Sequence, residues 1–371
     1  MKEIRPTSEV ELRDALVEAA AASGPISLGG NGSKRRMSAA PFEPAVSIST
    51  ACLRQVLQYE PRDLTVSVQA GLPWAEFSAM LAKNHQMVPL DPPYFDQATV
   101  GGVVAANSVG PRRRGYGGPR DSVIGMTFAT LEGKLAKSGG MVVKNVAGFD
   151  MAKLMIGSFG TLAALATVNF KITPMPERTC TFAMQFETGA ACAEARDQVI
   201  RGVLQPTAID AFNPAAAQRI GLDGFVLLLQ AGGNPAMLDR YPRELPQARA
   251  LEGDAETELW RKIREFTPDF VAEHPDAYVA RVSATLSQTG LLLNQPAPVY
   301  VRAGTGTAYV HFAGIEQART WAPPSGTRHV YEYGNGLQTP PAGPEFAMMK
   351  AVKRLFDPTG ILNPGRLYGH I

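Results

Sequence analysis

"QATVGGVVAANSVGPRRRGYGGPRDSVIG", residues 97–125, is rich in glycine and arginine. It brings together a Gly-Gly pair, an Ala-Ala-Asn-Ser turn, three consecutive arginines and a second Gly-Gly pair. Glycine at this density allows a backbone to come close either to another strand or to a ligand. The rest of the chain has to distinguish these two alternatives.

The length, composition and net charge of the chain are those of a folded globular protein, and they give no sign of nucleic-acid binding. The chain has 371 residues, of which 45% are hydrophobic and 19% charged, with a net charge of +2. This length favours two domains, and the near balance of charge gives no reason to expect a nucleic-acid partner. The three cysteines have no metal-ligand spacing and favour a reducing compartment.

The N-terminus has no apolar secretory segment, and no uninterrupted apolar run reaches the length of a membrane span. We therefore expect a cytoplasmic protein without a transmembrane segment. A peripheral association with the inner face of the membrane, through partners, is left open.

The common local signatures of other enzyme classes are absent from the sequence. Gly30-Asn31-Gly32 lacks the third glycine of a dinucleotide fingerprint, because position 35 is arginine. Gly133-Lys134 is followed by leucine, so it is not a Walker phosphate loop. The five histidines are too scattered to predict a metal site.

Two glycine loops have the chemistry to hold a pyrophosphate. The backbone N–H groups of Gly29, Gly30, Asn31, Gly32 and Ser33 can turn inward around an anion, and Ser33 adds a hydroxyl. The segment that contains Thr99, Gly101 and Gly102 could approach from the other side, with Asn107 and Ser108 hydrogen-bonding a polar ring edge. Either loop alone also fits an ordinary tight turn, because short glycine motifs have many false positives.

Six segments together resemble one flavoprotein family. They occur in the order found in the FAD-binding family typified by vanillyl-alcohol oxidase and p-cresol methylhydroxylase: "ISLGGNGS", "TVSVQAGLPWAEF", "LDPPYFDQATVGGVVAANSVGPRR", "PRDSVIGMTFATLEGK", "VVKNVAGFDMAKLMIGSFGTLAALATVNFKITPMP" and "FDPTGILNPGR". Within it, the stretches "GPRRRGYGG…RDSVIG" and "VVKNVAGFDMAKLMIGSFGTL" most resemble the FAD-binding E subunits of bacterial glycolate oxidases (glycolate dehydrogenases). The resemblance covers residues 1–176 and roughly the last thirty residues.

The resemblance implies an α+β fold. It implies a two-subdomain FAD-binding domain of the p-cresol methylhydroxylase type over 1–176, with an internal boundary near 50–60. A smaller α+β cap domain follows over 177–335, and a C-terminal segment, 336–371, returns to the first domain.

The resemblance also implies the cofactor and its contacts. The loop over residues 29–33 would cradle the FAD pyrophosphate, and the loop over 99–108 would lie along pyrophosphate and flavin. Gly160 and Thr161 would help to seat the cofactor, and Asn363 would lie where the C-terminal segment returns to the flavin. Members that bind flavin covalently carry a histidine in or beside the pyrophosphate loop, and here no histidine precedes His85. Non-covalent FAD is therefore expected.

The implied activity is FAD-dependent oxidation of the CH–OH group of 2-hydroxy acids, glycolate to glyoxylate. The chain would serve electron transfer or support in a complex with a catalytic flavoprotein subunit and an iron–sulfur subunit. Related dehydrogenases hold a metal with a histidine-and-carboxylate motif in the cap. The most similar stretch here, "AGTGTAYVHF", has His311 but no acidic residue, so no metal is expected and no complete catalytic set is identified.

Two alternative functions stay open: a self-sufficient FAD-dependent 2-hydroxy-acid dehydrogenase, and a flavin-free structural subunit that kept the fold. Arg112, Arg113 and Arg114 have three interpretations, namely a solvated turn, an anion clamp near the flavin, or a contact with a partner's acidic surface. Met348, Met349, Val352 and Leu355 have helical spacing and are predicted to face the core.

Overall fold

The computed structural model describes residues 2–38, 42–142, 149–341 and 343–371. The chain divides into two units: unit 1 comprises Met1–Val109, Gly117–Met175 and Gln338–Ile371, and unit 2 comprises Gly110–Tyr116 and Pro176–Leu337. Residues 110–116, which the sequence assigned to the FAD-binding domain, lie with unit 2. The fifth of the six segments that carry the family resemblance, residues 142–176, lies partly outside the described residues, at 143–148.

Eighteen strands lie in the described residues. Those of unit 1 are β1 (Lys2–Ile4), β2 (Ile26–Gly29), β3 (Val46–Ser49), β4 (Val56–Glu60), β5 (Thr65–Gln69), β6 (Gln86–Met87), β7 (Val123–Ala129), β8 (Leu135–Gly139), β9 (Ala164–Lys171) and β10 (Thr173–Pro174). Those of unit 2 are β11 (Arg178–Phe186), β12 (Ala208–Phe212), β13 (Phe225–Gly233), β14 (Arg249–Leu251), β15 (Tyr278–Ser283), β16 (Val299–Arg302), β17 (Thr307–Phe312) and β18 (Arg328–Tyr333).

The helices of the described residues are α1 (Glu9–Ala21), α2 (Trp74–Ala82), α3 (Val100–Ala105), α4 (Arg113–Tyr116), α5 (Pro119–Ser122), α6 (Met151–Met155), α7 (Gly189–Arg201), α8 (Pro214–Arg219), α9 (Pro235–Leu238), α10 (Tyr241–Glu244), α11 (Gly253–Arg264), α12 (Phe266–Glu273), α13 (Thr289–Leu293), α14 (Ile315–Thr320) and α15 (Pro344–Phe356). Two 3-10 helices span Thr50–Cys52 and Leu286–Gln288. Within these residues, none of the helices combines the length and the apolarity that crossing a bilayer requires.

The first part of unit 1 is a three-stranded parallel sheet of order β1-β3-β2. Helix α1 packs on it because Leu12 and Leu16 recur on one face and are fully buried. The hydroxyl of Ser8 caps the helix by accepting from Glu11 N at 3.1 Å. The Glu11 carboxylate accepts from Thr7, one residue before the cap, so the spacing of Ser8 and Glu11 produces a cap but not a reciprocal box.

The second part of unit 1 is a five-stranded antiparallel sheet of order β4-β5-β9-β7-β8. Helices α2 and α3 contribute to a core in which Trp74, Phe77 and Phe170 pack edge to face or tilted. The first sheet ends at Ser49 and the second begins at Val56.

Unit 2 is an eight-stranded antiparallel sheet of order β14-β11-β13-β12-β16-β17-β15-β18. Both faces of the sheet are covered, because alternate side chains of each strand enter two separate apolar clusters. Helices α7 and α13 bury residues in one cluster, and α8 and α11 bury residues in the other. The predicted α+β class, with a two-part first domain and a smaller second one, is confirmed.

Candidate functional site

Unit 1 brings four separate segments of the sequence together. They are the glycine loop (residues 29–33), the second loop (99–108), the turn (157–161) and the C-terminal strap (357–366). Asn31 Nδ2 donates to Gln97 O at 3.2 Å, which joins the glycine loop to the chain just before the second loop. Phe159 N donates to Ala105 O at 2.9 Å, which joins the turn to the second loop.

The glycine loop follows β2, and its carbonyl groups are hydrogen-bonded within the protein whereas several of its amide groups are not. Ser49 Oγ donates to Gly30 O at 3.1 Å, and Thr50 Oγ1 donates to Gly29 O at 3.3 Å. The N–H groups of Asn31, Gly32 and Ser33 donate to no acceptor among the described residues. A loop whose carbonyls are bonded to protein while its amides stay available has the polarity that an anion requires.

Two glycines of this loop have different reasons to be glycine. A Cβ on Gly29 would meet no atom within 4 Å, so the space beside it is open. Gly32 has φ +72, a left-handed conformation that glycine adopts without steric cost. The loop therefore combines an open approach with a backbone that can curl around a phosphate.

Gly30 lies against the second loop. A Cβ on Gly30 would lie 2.9 Å from Thr99 Cγ2 and closer still to its Oγ1. The absence of a side chain at Gly30 is thus required by Thr99, and through this approach the two glycine loops touch each other.

The start of the second loop is occupied by the protein's own hydrogen bonds. Val100 N donates to Leu72 O at 2.9 Å, Gly101 N to Ala70 O at 2.7 Å, and Gly102 N to Thr99 Oγ1 at 3.2 Å. A Cβ on Gly101 would lie 2.7 Å from that of Ala70. Gly101 and Gly102 therefore serve a close approach between backbone segments, and their amides are not available to a ligand.

The end of the second loop carries the available polar side chains. Asn107 has φ +47 and follows α3, and Ser108 is buried. Neither side chain hydrogen-bonds to another described residue. A Cβ built on Gly157 would lie 3.4 Å from the Cβ of Asn107, so the end of the second loop contacts the turn. These two residues can offer an amide and a hydroxyl to a ligand.

The side chain of Asn363 joins the strap to the turn and to β2 by hydrogen bonds. Asn363 Nδ2 donates to Leu28 O at 2.9 Å and to Phe159 O at 2.8 Å, and its Oδ1 accepts from Leu28 N at 2.8 Å. Gly160 has φ +69, and a Cβ there would lie 2.8 Å from Asn363 Nδ2. Thr161 Oγ1 donates to Ser158 O at 2.7 Å. Gly160, Thr161 and Asn363 are thus brought to the site, where both amide protons of Asn363 are used by protein carbonyls.

Sequence reasoning missed a buried ion pair beside these residues. Lys353 Nζ lies 2.6 Å from Asp357 Oδ2, 2.8 Å from Thr161 O and 2.7 Å from Leu362 O. The available signal was a lysine and an aspartate four residues apart at the end of an amphipathic helix, a spacing that places both side chains on one face.

His311, which belongs to the stretch compared above with a metal-binding motif, lies among aromatic side chains in unit 2. His311 Nε2 lies 2.9 Å from Thr267 Oγ1, and its Nδ1 lies 3.2 Å from Pro298 O. The rings of Phe266, Phe270 and Tyr300 surround it, and burial lowers the pKa of His311 to about 3. A neutral, enclosed imidazole is a poor base at neutral pH. Among the described residues, no group of three or more His, Cys, Asp or Glu side chains could hold a metal ion.

The arginine turn packs on unit 2. Gly115 N donates to Thr207 O at 3.0 Å, and Arg114 Nη1 lies 3.4 Å from Gly304 O. Arg113 is exposed, whereas Arg112 and Arg114 are half-buried. None of the three interpretations made from the sequence included the packing of Arg114 within the second unit.

Two family models match the chain at the segments that form the site. A model described as FAD binding domain matches residues 3–139, and one described as FAD linked oxidases, C-terminal domain, matches residues 341–367. The first match contains the glycine loop and the second loop, and the second contains the strap. These matches confirm the resemblance to FAD-linked oxidases with a p-cresol methylhydroxylase-type FAD-binding domain that the sequence indicated.

Relatives of this FAD-linked oxidoreductase include glycolate oxidase subunits. The chain is 27% identical to glycolate oxidase subunit GlcE of Escherichia coli (strain K12), over 88% of each chain. It is 25% identical to glycolate oxidase subunit GlcD of Bacillus subtilis (strain 168), over 93% of this chain and 84% of that one. It is 24% identical to the mitochondrial D-lactate dehydrogenase [cytochrome] of Arabidopsis thaliana, over 87% of this chain and 65% of that one.

A solved structure supports the fold. Alkyldihydroxyacetonephosphate synthase superposes with a TM-score of 0.70 at 18% sequence identity, over 98% of this chain and 75% of that chain. The family models and the FAD-linked relatives, rather than this structure, show that the chain is an FAD-dependent oxidoreductase with FAD as its cofactor, as the sequence predicted. The open space at Gly29 and the available amides of residues 31–33 fit the anionic part of that cofactor.

Proposed function

We propose that this chain is the FAD-carrying subunit of a complex that oxidises 2-hydroxy acids, converting glycolate to glyoxylate. It serves electron transfer or support beside a catalytic flavoprotein subunit and an iron–sulfur subunit. The names of the relatives support the substrate class, since two are glycolate oxidase subunits and one is a D-lactate dehydrogenase. The location we propose is cytoplasmic, with membrane association through partners.

The proposed FAD site uses the available donors of unit 1. The pyrophosphate lies at the amides of Asn31, Gly32 and Ser33, because oriented N–H groups replace the water that a phosphate loses on binding. Asn107 and Ser108 donate to the polar edge of the flavin. Thr99, Gly30, Gly101 and Gly102 hold the two loops together, and Gly160, Thr161 and Asn363 hold the turn against them.

The residues of this chain bind and orient the cofactor. FAD, when bound, would supply the two-electron oxidant that takes the hydride from C2 of the hydroxy acid. The hydroxyl proton of the substrate would go separately to a base. The residues that receive this proton are assigned here to the partner. The state of His311 supports that assignment. Both of its ring nitrogens contact Thr267 or Pro298, and its pKa is lowered to about 3, so its imidazole is a poor acceptor for the substrate proton.

Steady-state glycolate oxidation tests this proposal. The isolated chain, loaded with FAD, is assayed with an artificial electron acceptor and compared with the assembly that contains its partner subunits. We expect slow or no turnover by the isolated chain, since a missing general base costs about 10²–10⁴ in rate. Turnover equal to that of the assembly would instead establish a self-sufficient dehydrogenase. Absence of a flavin spectrum would establish a flavin-free subunit.

A further inference from the structure

Lys353 uses all three of its ammonium donors inside unit 1. Its side chain is 9% exposed, and Nζ contacts Asp357 Oδ2, Thr161 O and Leu362 O at 2.6–2.8 Å. Lys353 lies on α15, and its acceptors belong to two other segments: Thr161 to the turn, and Asp357 and Leu362 to the strap. An ammonium group with three protons can satisfy all three acceptors at once.

Asp357 completes the network from the other side. Its carboxylate is fully buried and accepts from Leu362 N at 2.8 Å, Ile361 N at 3.1 Å and Thr359 Oγ1 at 3.2 Å, besides Lys353. Burial lowers the pKa of Lys353, and the neighbouring carboxylate of Asp357 opposes that shift. A buried ion pair offsets the cost of losing water only where further hydrogen bonds satisfy both groups, and here both partners have them.

The strap that this pair holds continues to the glycine loop. Ile26 N donates to Ile361 O at 2.7 Å, and Asn363 N donates to Ile26 O at 2.9 Å, so the strap runs alongside β2. Arg366 Nη1 then donates to Arg35 O at 2.5 Å, and its Nη2 donates to Lys34 O. The strap therefore contacts the chain immediately before and immediately after the glycine loop.

We infer that Lys353 and Asp357 are positioning residues for FAD: they fasten the strap so that β2, the glycine loop and the turn hold the geometry that binds the cofactor. Neither residue needs to touch FAD. The inference rests on the proposed placement of FAD at the glycine loop. Because coupling between two equilibria is reciprocal, bound FAD in turn stabilises the strap.

The test compares two lysines of the same helix. Lys353→Met removes the buried ammonium, and Lys350→Met removes the exposed ammonium of Lys350 from α15 as a matched control. The dissociation constant of FAD is measured on the full-length apoprotein by flavin fluorescence. We expect Lys353→Met to raise that constant by about 5- to 150-fold, the usual range of coupling between linked sites. Lys350→Met should bind as the native chain does.

The double variant Lys353→Met/Asp357→Leu provides the test if the single variant does not fold. It leaves no unpaired buried charge, and apolar replacement of a buried ion pair commonly preserves folding. It still lacks the bonds to Thr161 O and Leu362 O, so FAD binding should stay weakened. Native-like FAD affinity in a folded Lys353→Met or double variant would overturn the inference.

Hydrogen exchange gives a readout that a merely stabilising pair would not change. In the native chain, FAD should slow exchange at the amides of Ile361, Leu362 and Asn363, and this protection should disappear in the double variant. Unchanged exchange at these amides on addition of FAD to the native chain would overturn the inference. If the native chain bound no FAD, or if Gly30→Val retained it, the proposed site would fail and the inference with it. Failure at Lys353 alone removes only the inference.

Discussion

Gly30 and Thr99 approach so closely that no side chain fits between them. A Cβ on Gly30 would lie 2.9 Å from Thr99 Cγ2, whereas a Cβ on neighbouring Gly29 would meet no atom within 4 Å. We therefore expect Gly30→Val to abolish stoichiometric FAD binding, because the glycine loop must move away from the second loop. To measure this loss, the purified variant is incubated with excess FAD, the unbound flavin is removed by dialysis, and the absorption spectrum of the protein is recorded.

Gly29→Ala is the matched control for Gly30→Val, since it adds a methyl group in open space one residue earlier. It should leave the apoprotein as stable as the native one and lower the affinity for FAD without abolishing it, because the proposed site places the cofactor in that space. Stoichiometric flavin in Gly30→Val would place the cofactor elsewhere in the chain.

FAD should be released from this protein on denaturation. The glycine loop contains no histidine, and no histidine precedes His85 in the sequence. We expect acid precipitation of the holoprotein to leave the yellow flavin in the supernatant, where its absorbance quantifies one FAD per chain. A pellet that stays yellow after washing would show a covalent bond and contradict this expectation.

His311 predicts a pH dependence of folding in unit 2. Its folded-state pKa is lowered to about 3 by burial, whereas an unfolded histidine titrates near 6.5. Between these pH values the unfolded chain binds a proton that the folded chain does not. The free energy of unfolding should therefore fall as the pH is lowered from about 6.5 towards 3.

Urea unfolding at pH 7 and pH 5, followed by circular dichroism, measures this dependence. His311→Gln should lose part of the difference between the two pH values, because it removes the buried titrating group. His370→Gln, which changes an exposed histidine of unit 1, should keep the full difference. Equal pH dependence in His311→Gln and the native chain would mean that other groups carry the effect.

The fold class and the cofactor could be predicted because short segments of the sequence carry the family resemblance, and that resemblance implies both. The glycine loop is such a segment: Gly32 has φ +72, which glycine adopts without steric cost, so the residue type reflects a preference set by its own backbone. The order of six such segments was then enough to indicate the FAD-binding family.

What each site residue does could not be predicted, because it depends on neighbours far away in the chain. Gly101 looked like a phosphate contact, but Ala70 occupies the space beside it. Met348 and Leu355 were expected in the core, yet they are 66% and 76% exposed. Val352 instead packs against the apolar cluster of unit 1 together with Phe356. Helical spacing identifies an apolar stripe without saying which part of it another element covers.

In the arginine turn, Arg114 packs against Gly304 whereas Arg113 is exposed. Substitution of Arg114 should therefore change stability, and substitution of Arg113 should not. A Cβ on Gly304 would lie 3.2 Å from Arg114 Nε and 3.3 Å from its Cγ, so the stem of this arginine covers Gly304. Arg114→Ala removes this packing and the contact with Gly304 O, and it should lower the stability of unit 2 by about 1 kcal/mol. A melting temperature lower by about 2–4 °C is expected for a unit of this size.

Arg113→Ala is the matched change at the exposed position next to it. It should leave the melting temperature as it is and weaken co-purification with the partner subunits, because an exposed arginine contributes little to folding but can pair with an acidic surface. Native-like assembly of Arg113→Ala would remove the turn from the partner interface. A native melting temperature for Arg114→Ala would show that its packing on Gly304 contributes nothing measurable. Measuring both variants for both properties therefore separates folding from assembly at adjacent positions of one turn.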